Sequence, residues 1–321
     1  MEKRNEDRKE RNHSADSGSD RLLPESASPA VSGIRLSLAR GEVVGIVGES
    51  GCGKTTLLKS IVSPQLHKLR IHSGEVFYQG EELLHCGEKR RQELLGNAVG
   101  VIVQNSISSL NPIRTIRSQV RELLKEKKGL GSREADLLAS RFLRAMNCPE
   151  DILSRYPFQL SGGQRQRTLT AMTMMLHPSV LLADEPTTAL DVSIQAKLLG
   201  EIKSLALEYG TGVLLITHNM GVVAGIADRI MVMYGGQILE SGTTQSILSS
   251  PRHPYTQALL NCIPDLHCEK GRPLYRIPDE RGKKPVKGCP FAGRCPECQQ
   301  RCLEERPGRI PVEGGWYACF R

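Results

Sequence analysis

The chain has 321 residues, enough for one large or two ordinary domains with a well-buried core. Hydrophobic residues make up 39% and charged residues 24%, a balance that excludes disorder throughout, and no apolar run reaches the roughly 18 to 20 residues that span a bilayer. The net charge of +8 invites a nucleic-acid or anionic-membrane reading, but its excess lies in two stretches: 114–147 has nine basic and four acidic residues, and 269–321 has twelve and seven.

Residues 1–31 open on MEKRNEDRKERNHSADSGSD, polar, charge-balanced and without an apolar h-region, so a disordered tail on a cytosolic protein is expected. Ile34-Arg35-Leu36-Ser37-Leu38 alternates as a half-buried strand does, and Val43 to Val47 is a short apolar run of the fully buried kind. Similar runs recur at Val99 to Val103, Val180 to Ala183, Val213 to Ile216 and Ile230 to Met233. Helical patterns separate most of them, which predicts an α/β domain over 32–250 with a mainly parallel sheet. Between Val103 and Val180 the strand signal stops, and Val120, Leu123, Leu124, Leu138, Phe142 and Met146 fall at helical spacing. A helical subdomain over about 105–175 follows. From Pro251 to Arg321 the composition shifts towards Pro, Gly, Arg and Cys, which suggests a small Cys-rich appendage from about Cys268. Five of the ten cysteines fall in the last 33 residues, a crowding that in a cytosolic protein points to metal or redox chemistry before disulfides.

Gly48-Glu49-Ser50-Gly51-Cys52-Gly53-Lys54-Thr55, with Thr56 next, follows an expected strand and opens an expected helix. Glycines at this spacing let backbone N–H groups curl around phosphate oxygens, while Lys54 reaches the β and γ phosphates and Thr55 ligates Mg²⁺. Cys52, near a helix N-terminus, is expected to carry an unusually acidic thiol. A phosphate loop needs carboxylates at the end of a neighbouring strand, and Asp184-Glu185 supplies them: Asp184 for Mg²⁺, Glu185 to polarise the attacking water.

Leu160-Ser161-Gly162-Gly163-Gln164 resembles the signature of the ATP-binding-cassette ATPases, and Gln104, Ala189-Leu190-Asp191 and His218 match that family's Q-loop, D-loop and switch histidine in order. The resemblance implies ATP and Mg²⁺ as cofactors, with Thr55, Gln104 and Asp184 around the metal. It also implies that Ser161, Gly162, Gly163 and Gln164 act in trans on ATP held by a second subunit. His218 would contact the γ-phosphate; its assignment as general base ranks below Glu185.

Ser109-Leu110-Asn111-Pro112, Tyr156-Pro157-Phe158-Gln159, ADEPTTALDVSIQ from Ala183 to Gln195 and His253-Pro254-Tyr255-Thr256 are similar to ATPase subunits of oligopeptide, dipeptide and nickel importers, the D-type subunit above all. This implies ATP hydrolysis that energises import of di- and oligopeptides, or alternatively nickel or metal chelates, from the cytoplasmic face of the inner membrane. Its partners would be an F-type ATPase or a second copy, two permeases and, indirectly, a solute-binding protein. Nucleic acid is not expected, since neither a second cassette nor a long coiled-coil insertion is visible. Gly288-Cys289-Pro290-Phe291-Ala292-Gly293-Arg294-Cys295, with Cys302 and Cys319, resembles an element that can hold a [4Fe–4S] cluster in that family. Cys295-x-x-Cys298 keeps Zn²⁺ as an alternative. One departure stands out: no Phe, Tyr or Trp precedes Phe77, although the family usually stacks an upstream aromatic on adenine.

Overall fold

The computed structural model describes residues 29–62, 64, 67–103, 109–187, 192–263, 275–279 and 287–321. The greater part of the expected tail, 1–28, therefore lies outside the described residues. β1 (Val43–Val47) leads into α1 (Lys54–Val62), followed by a small hairpin of β2 (Phe77–Tyr78) and β3 (Glu81–Glu82), then α2 (Glu88–Leu94) and β4 (Val99–Ile102). Next come α3 (Ile116–Lys128), α4 (Ser132–Ala145) and α5 (Gly162–Met174), with no strand among the described residues before β5 (Val180–Asp184). The chain continues through α6 (Val192–Tyr209), β6 (Gly212–Thr217), α7 (Met220–Ala224), β7 (Arg229–Tyr234), β8 (Gln237–Thr243), α8 (Thr244–Ser249) and α9 (Pro254–Asn261). It closes with α10 (Gln300–Glu304), β9 (Ile310–Val312) and β10 (Gly315–Tyr317).

One eight-stranded sheet runs in the order β4-β5-β6-β1-β7-β8-β10-β9. Its first five strands are parallel and the last three join antiparallel. The parallel strands are the five apolar runs, apolar on both sides because both faces are covered. Val43 and Val47 of β1 face one core with Val213, Leu215 and Val232. Val44 and Ile46 face the other, with Leu57 and Leu58 of α1. β7 turns into β8 through Gly235 and Gly236 at φ of 53° and 81°, the paired left-handed conformations that a two-residue hairpin requires.

The helical subdomain packs onto the first core through Ile116, Val120 and Leu124 of α3 and Ala135, Ala139 and Phe142 of α4. Thr115 caps α3 by accepting from the Ser118 amide at 3.3 Å. Phe142 stacks on Tyr209 of α6 at 5.2 Å, tying the subdomain to the sheet layer.

Two features differ from expectation. Residues 34–38 carry no assigned strand, although Ile34, Leu36 and Leu38 pack on the second core. Their backbone is met by a side chain instead of a neighbouring strand, with Arg229 Nη2 donating to the Ser37 carbonyl at 2.6 Å. One-sided packing alone produced the alternation. At the other end, the Cys-rich segment does not stand apart as an appendage: β10 pairs with β8, Gly315 opposite Gly242. Phe291, 1% exposed, packs against Tyr234 and Tyr255.

Candidate active site

Strand register brings the sequence motifs together. Val47 pairs with Thr217, and Asp184 with Ile216, so the carboxyl ends of β1, β5 and β6 lie side by side. In an open α/β sheet such a crevice is where ligands bind. The phosphate loop leaves β1, the acidic pair ends β5 and His218 follows β6.

A Cβ on Gly48 would sit 2.1 Å from the Met233 carbonyl oxygen, so only glycine lets the loop leave β1 along this path. Lys54 is 5% exposed, and its Nζ donates to the carbonyls of Gly48 at 2.8 Å and Glu49 at 3.0 Å. Its charge is thereby held inside the curl of the loop. Ser50 and Gly51 lie at the exposed tip, while Thr55 and Thr56 are half-buried in the first turn of α1. The expectation of an acidic Cys52 thiol is corrected. Burial pushes its pKa up, and the nearby Lys54 ammonium only partly opposes this.

Asp184 is 3% exposed, and burial raises its pKa while a hydrogen bond with the Thr55 side chain lowers it. Its Oδ1 has no hydrogen-bond partner. A buried carboxylate oxygen left without a donor, next to a threonine hydroxyl, is a donor set that suits Mg²⁺. Glu185 follows at φ 46°, a left-handed conformation unusual for a side chain of this size. Its amide donates to the Ile216 carbonyl at 2.8 Å. Its Oε1 lies 2.8 Å from His218 Nδ1, and the imidazole is 57% exposed against 15% for the carboxylate. A carboxylate held in that way, with an imidazole at its open side, can accept a proton from water.

The four signature residues lie at the N-terminus of α5. Ser161 Oγ accepts from the Gln164 amide at 3.3 Å and Gln164 Oε1 accepts from the Ser161 amide at 3.0 Å, a reciprocal cap. Ser161 and Gly162 are exposed, and a Cβ at Gly162 would meet nothing within 4 Å. Gln104 and Asp191 lie outside the described residues.

A model of ABC transporters matches residues 31–188, and a model of the oligopeptide/dipeptide transporter C-terminal region matches residues 239–302. A probable peptide ABC transporter ATP-binding protein, y4tR of Sinorhizobium fredii, is 39% identical over 92% of this chain and 90% of its own length. The chain belongs to the ATP-binding proteins of oligopeptide/dipeptide ABC transporters. Among other members, the oligopeptide transport ATP-binding protein AmiE of Streptococcus pneumoniae is 40% identical over 88% of this chain and 81% of its own. A solved ATP-binding cassette, a dimer in a post-hydrolysis state bound to ADP and Pi, matches with a TM-score of 0.59 and 28% identity. That match covers 67% of this chain and 90% of the solved one. As an ABC ATPase the chain binds ATP with Mg²⁺ and hydrolyses it.

In this ABC ATPase the sequence motifs left two contacts on the phosphate loop unmarked. Both come from the C-terminal third. Tyr255 Oη accepts the Glu49 amide at 3.0 Å, and Arg294 forks onto the Glu49 carboxylate at 2.5 and 3.0 Å. Pairings 206 and 245 residues apart leave no periodic trace in sequence. Cys289, Cys295, Cys302 and Cys319 line one cavity of about 40 Å³, together with His253, and all four are free thiols. Burial, reinforced by the neighbouring thiols, pushes Cys289 up to about 12 and Cys295 to about 11. Cys298 is exposed. Among the described residues, no three His, Cys, Asp or Glu side chains stand at metal-ligand spacing.

Proposed function

We propose that this chain hydrolyses ATP to energise import of di- and oligopeptides across the inner membrane. The match of residues 239–302 to the oligopeptide/dipeptide transporter C-terminal region carries the reading, since the ATPase core alone would suit any cassette. The relatives above are named as ATP-binding proteins of peptide transport, and peptide is therefore preferred to nickel or metal chelates. The phosphate loop, Gly48 to Thr55 with Thr56, holds the triphosphate, and Lys54 balances its charge. Thr55, Asp184 and Gln104 would hold Mg²⁺, which would neutralise charge on the phosphates. Glu185 accepts the proton of the attacking water while His218 keeps that carboxylate oriented and touches the γ-phosphate. Ser161 to Gln164 close over ATP bound by a second ATPase subunit, F-type or another copy, with Asp191 at the seam; the solved cassette dimer supports such an assembly.

Two permeases are the membrane partners, with a solute-binding protein outside supplying peptide. No helix among the described residues is long and apolar enough to cross a membrane; the permeases are proposed to hold the chain at the cytoplasmic face. The exposed Ile113, and Phe158 stacked on Tyr156 at 5.5 Å, provide apolar contact on the helical subdomain. The four clustered thiols are proposed to hold a [4Fe–4S] cluster, with Zn²⁺ the alternative; either would have to draw the sulfurs inward. Iron with acid-labile sulfide, or stoichiometric zinc, in anaerobically purified chain decides between them, and neither would remove the metal.

Co-expression with the permeases tests the function. Recovery of a complex whose ATP turnover rises with peptide-loaded binding protein is expected. A complex stimulated by nickel-loaded and not by peptide-loaded protein would overturn the substrate class.

A further inference from the structure

Glu49 is an acidic residue in a loop that holds a polyanion. An unneutralised carboxylate beside a bound triphosphate would repel it. The fold meets this charge with a residue far along the chain. Arg294 ends the short 3₁₀ turn Ala292–Arg294 and places both terminal nitrogens on the two Glu49 oxygens, a fork that a lysine cannot reproduce. The guanidinium is itself fixed. Its Nε donates to the Pro278 carbonyl at 2.6 Å, Nη1 lies 3.4 Å from Tyr234 Oη, and its carbon stands 5.8 Å from the centre of the Tyr234 ring. The arginine side chain is 15% exposed and the glutamate 35%, so the pair is shielded more than an ordinary surface bridge.

The backbone of the same residue is held independently. Tyr255, fully buried, receives the Glu49 amide on its hydroxyl, and its ring packs against Tyr234 at 4.7 Å and Phe291 at 5.1 Å. Both the side chain and the amide of Glu49 are thus anchored on the C-terminal third.

We infer that Arg294 is a positioning residue for nucleotide binding: it neutralises Glu49 and draws that carboxylate away from the phosphates, so ATP affinity depends on the C-terminal segment. The inference concerns the phosphate loop alone and does not depend on what the transporter carries. MgATP affinity of the full chain, measured by displacement of a fluorescent ATP analogue, tests it in four forms: wild type, Arg294→Met, Glu49→Gln and the double variant. Arg294→Met is expected to weaken MgATP about tenfold, with KM raised and kcat within about twofold. Glu49→Gln, itself a phosphate-loop change, is the reference for the cycle. The double variant should bind MgATP within about threefold of Glu49→Gln, because removing the carboxylate removes what the arginine neutralises. A purely structural arginine would leave the double variant as weak or as unfolded as Arg294→Met, and that result overturns the inference, as does an Arg294→Met chain that binds like wild type. A wild-type chain that binds no MgATP would contradict the ATPase reading itself.

Discussion

Two helices of this protein offer an N-terminus to an anion, and they are finished in opposite ways. At α1 the chain closes the site itself: Lys54 is 5% exposed inside the loop, Asp184 stands beside Thr55, and Arg294 covers the one acidic residue of the loop. At α5 the terminus is capped on itself, by Ser161 and Gln164, and Ser161 and Gly162 are exposed. The amides of Gly162 and Gly163 occupy the first turn, where an α-helix leaves N–H groups without intrahelical acceptors. In the proposed assembly the first terminus is half of an active site furnished from within, and the second is the other half, left open for a neighbour.

The largest effect expected from breaking this arrangement is at the furnished end. Glu185→Gln should lower ATP turnover by about 10²- to 10⁴-fold while MgATP still binds, and turnover within a factor of a few of wild type would remove Glu185 from its role. Gly162→Asp comes next. The position has open space, so the variant should fold, yet it sets a carboxylate where a γ-phosphate would arrive. Turnover should fall about 100-fold with MgATP affinity changed no more than about twofold, the reverse of what a Lys54 substitution would do.

Asp184→Asn separates stability from chemistry. Because burial raises the Asp184 pKa in the folded chain, its ionised form costs stability once pH exceeds the unfolded value near 4. The metal-free Asn variant should unfold at a higher temperature than wild type at pH 7. That advantage should disappear near pH 3, and Mg²⁺-dependent hydrolysis should be lost; an Asn variant less stable at pH 7 would contradict the account. Smallest is Ser161→Ala, which deletes half of the α5 cap and should cost about 1 kcal/mol in denaturant unfolding.

The parallel strands were legible because a strand covered on both faces reads as an unbroken apolar run, as in Val43 to Val47 and Val213 to Ile216. The phosphate loop, the acidic pair and the signature were legible because their chemistry is local in sequence. Residues 34–38 misled because their alternation records packing on one face, which needs no hydrogen-bonded neighbour. The edge hairpin of β9 and β10 escaped notice since its strands have three residues each and one contains Pro311, tolerable only at an edge. Arg294 and Tyr255 could not be read as partners of Glu49, because only the folded sheet brings those segments together. The Cys52 thiol was misjudged for a related reason: the helix terminus is visible in sequence, and the burial that outweighs it is not.

In the proposed assembly each ATP is shared between the phosphate loop of one chain and the α5 terminus of another. Its most direct test is light scattering on Glu185→Gln protein in MgATP, alone and with the second ATPase subunit added. A nucleotide-dependent pair is expected, which Gly162→Asp returns to single chains still carrying ATP. Single chains with ATP bound in the Glu185→Gln protein under both conditions, or a pair indifferent to Gly162→Asp, would contradict it.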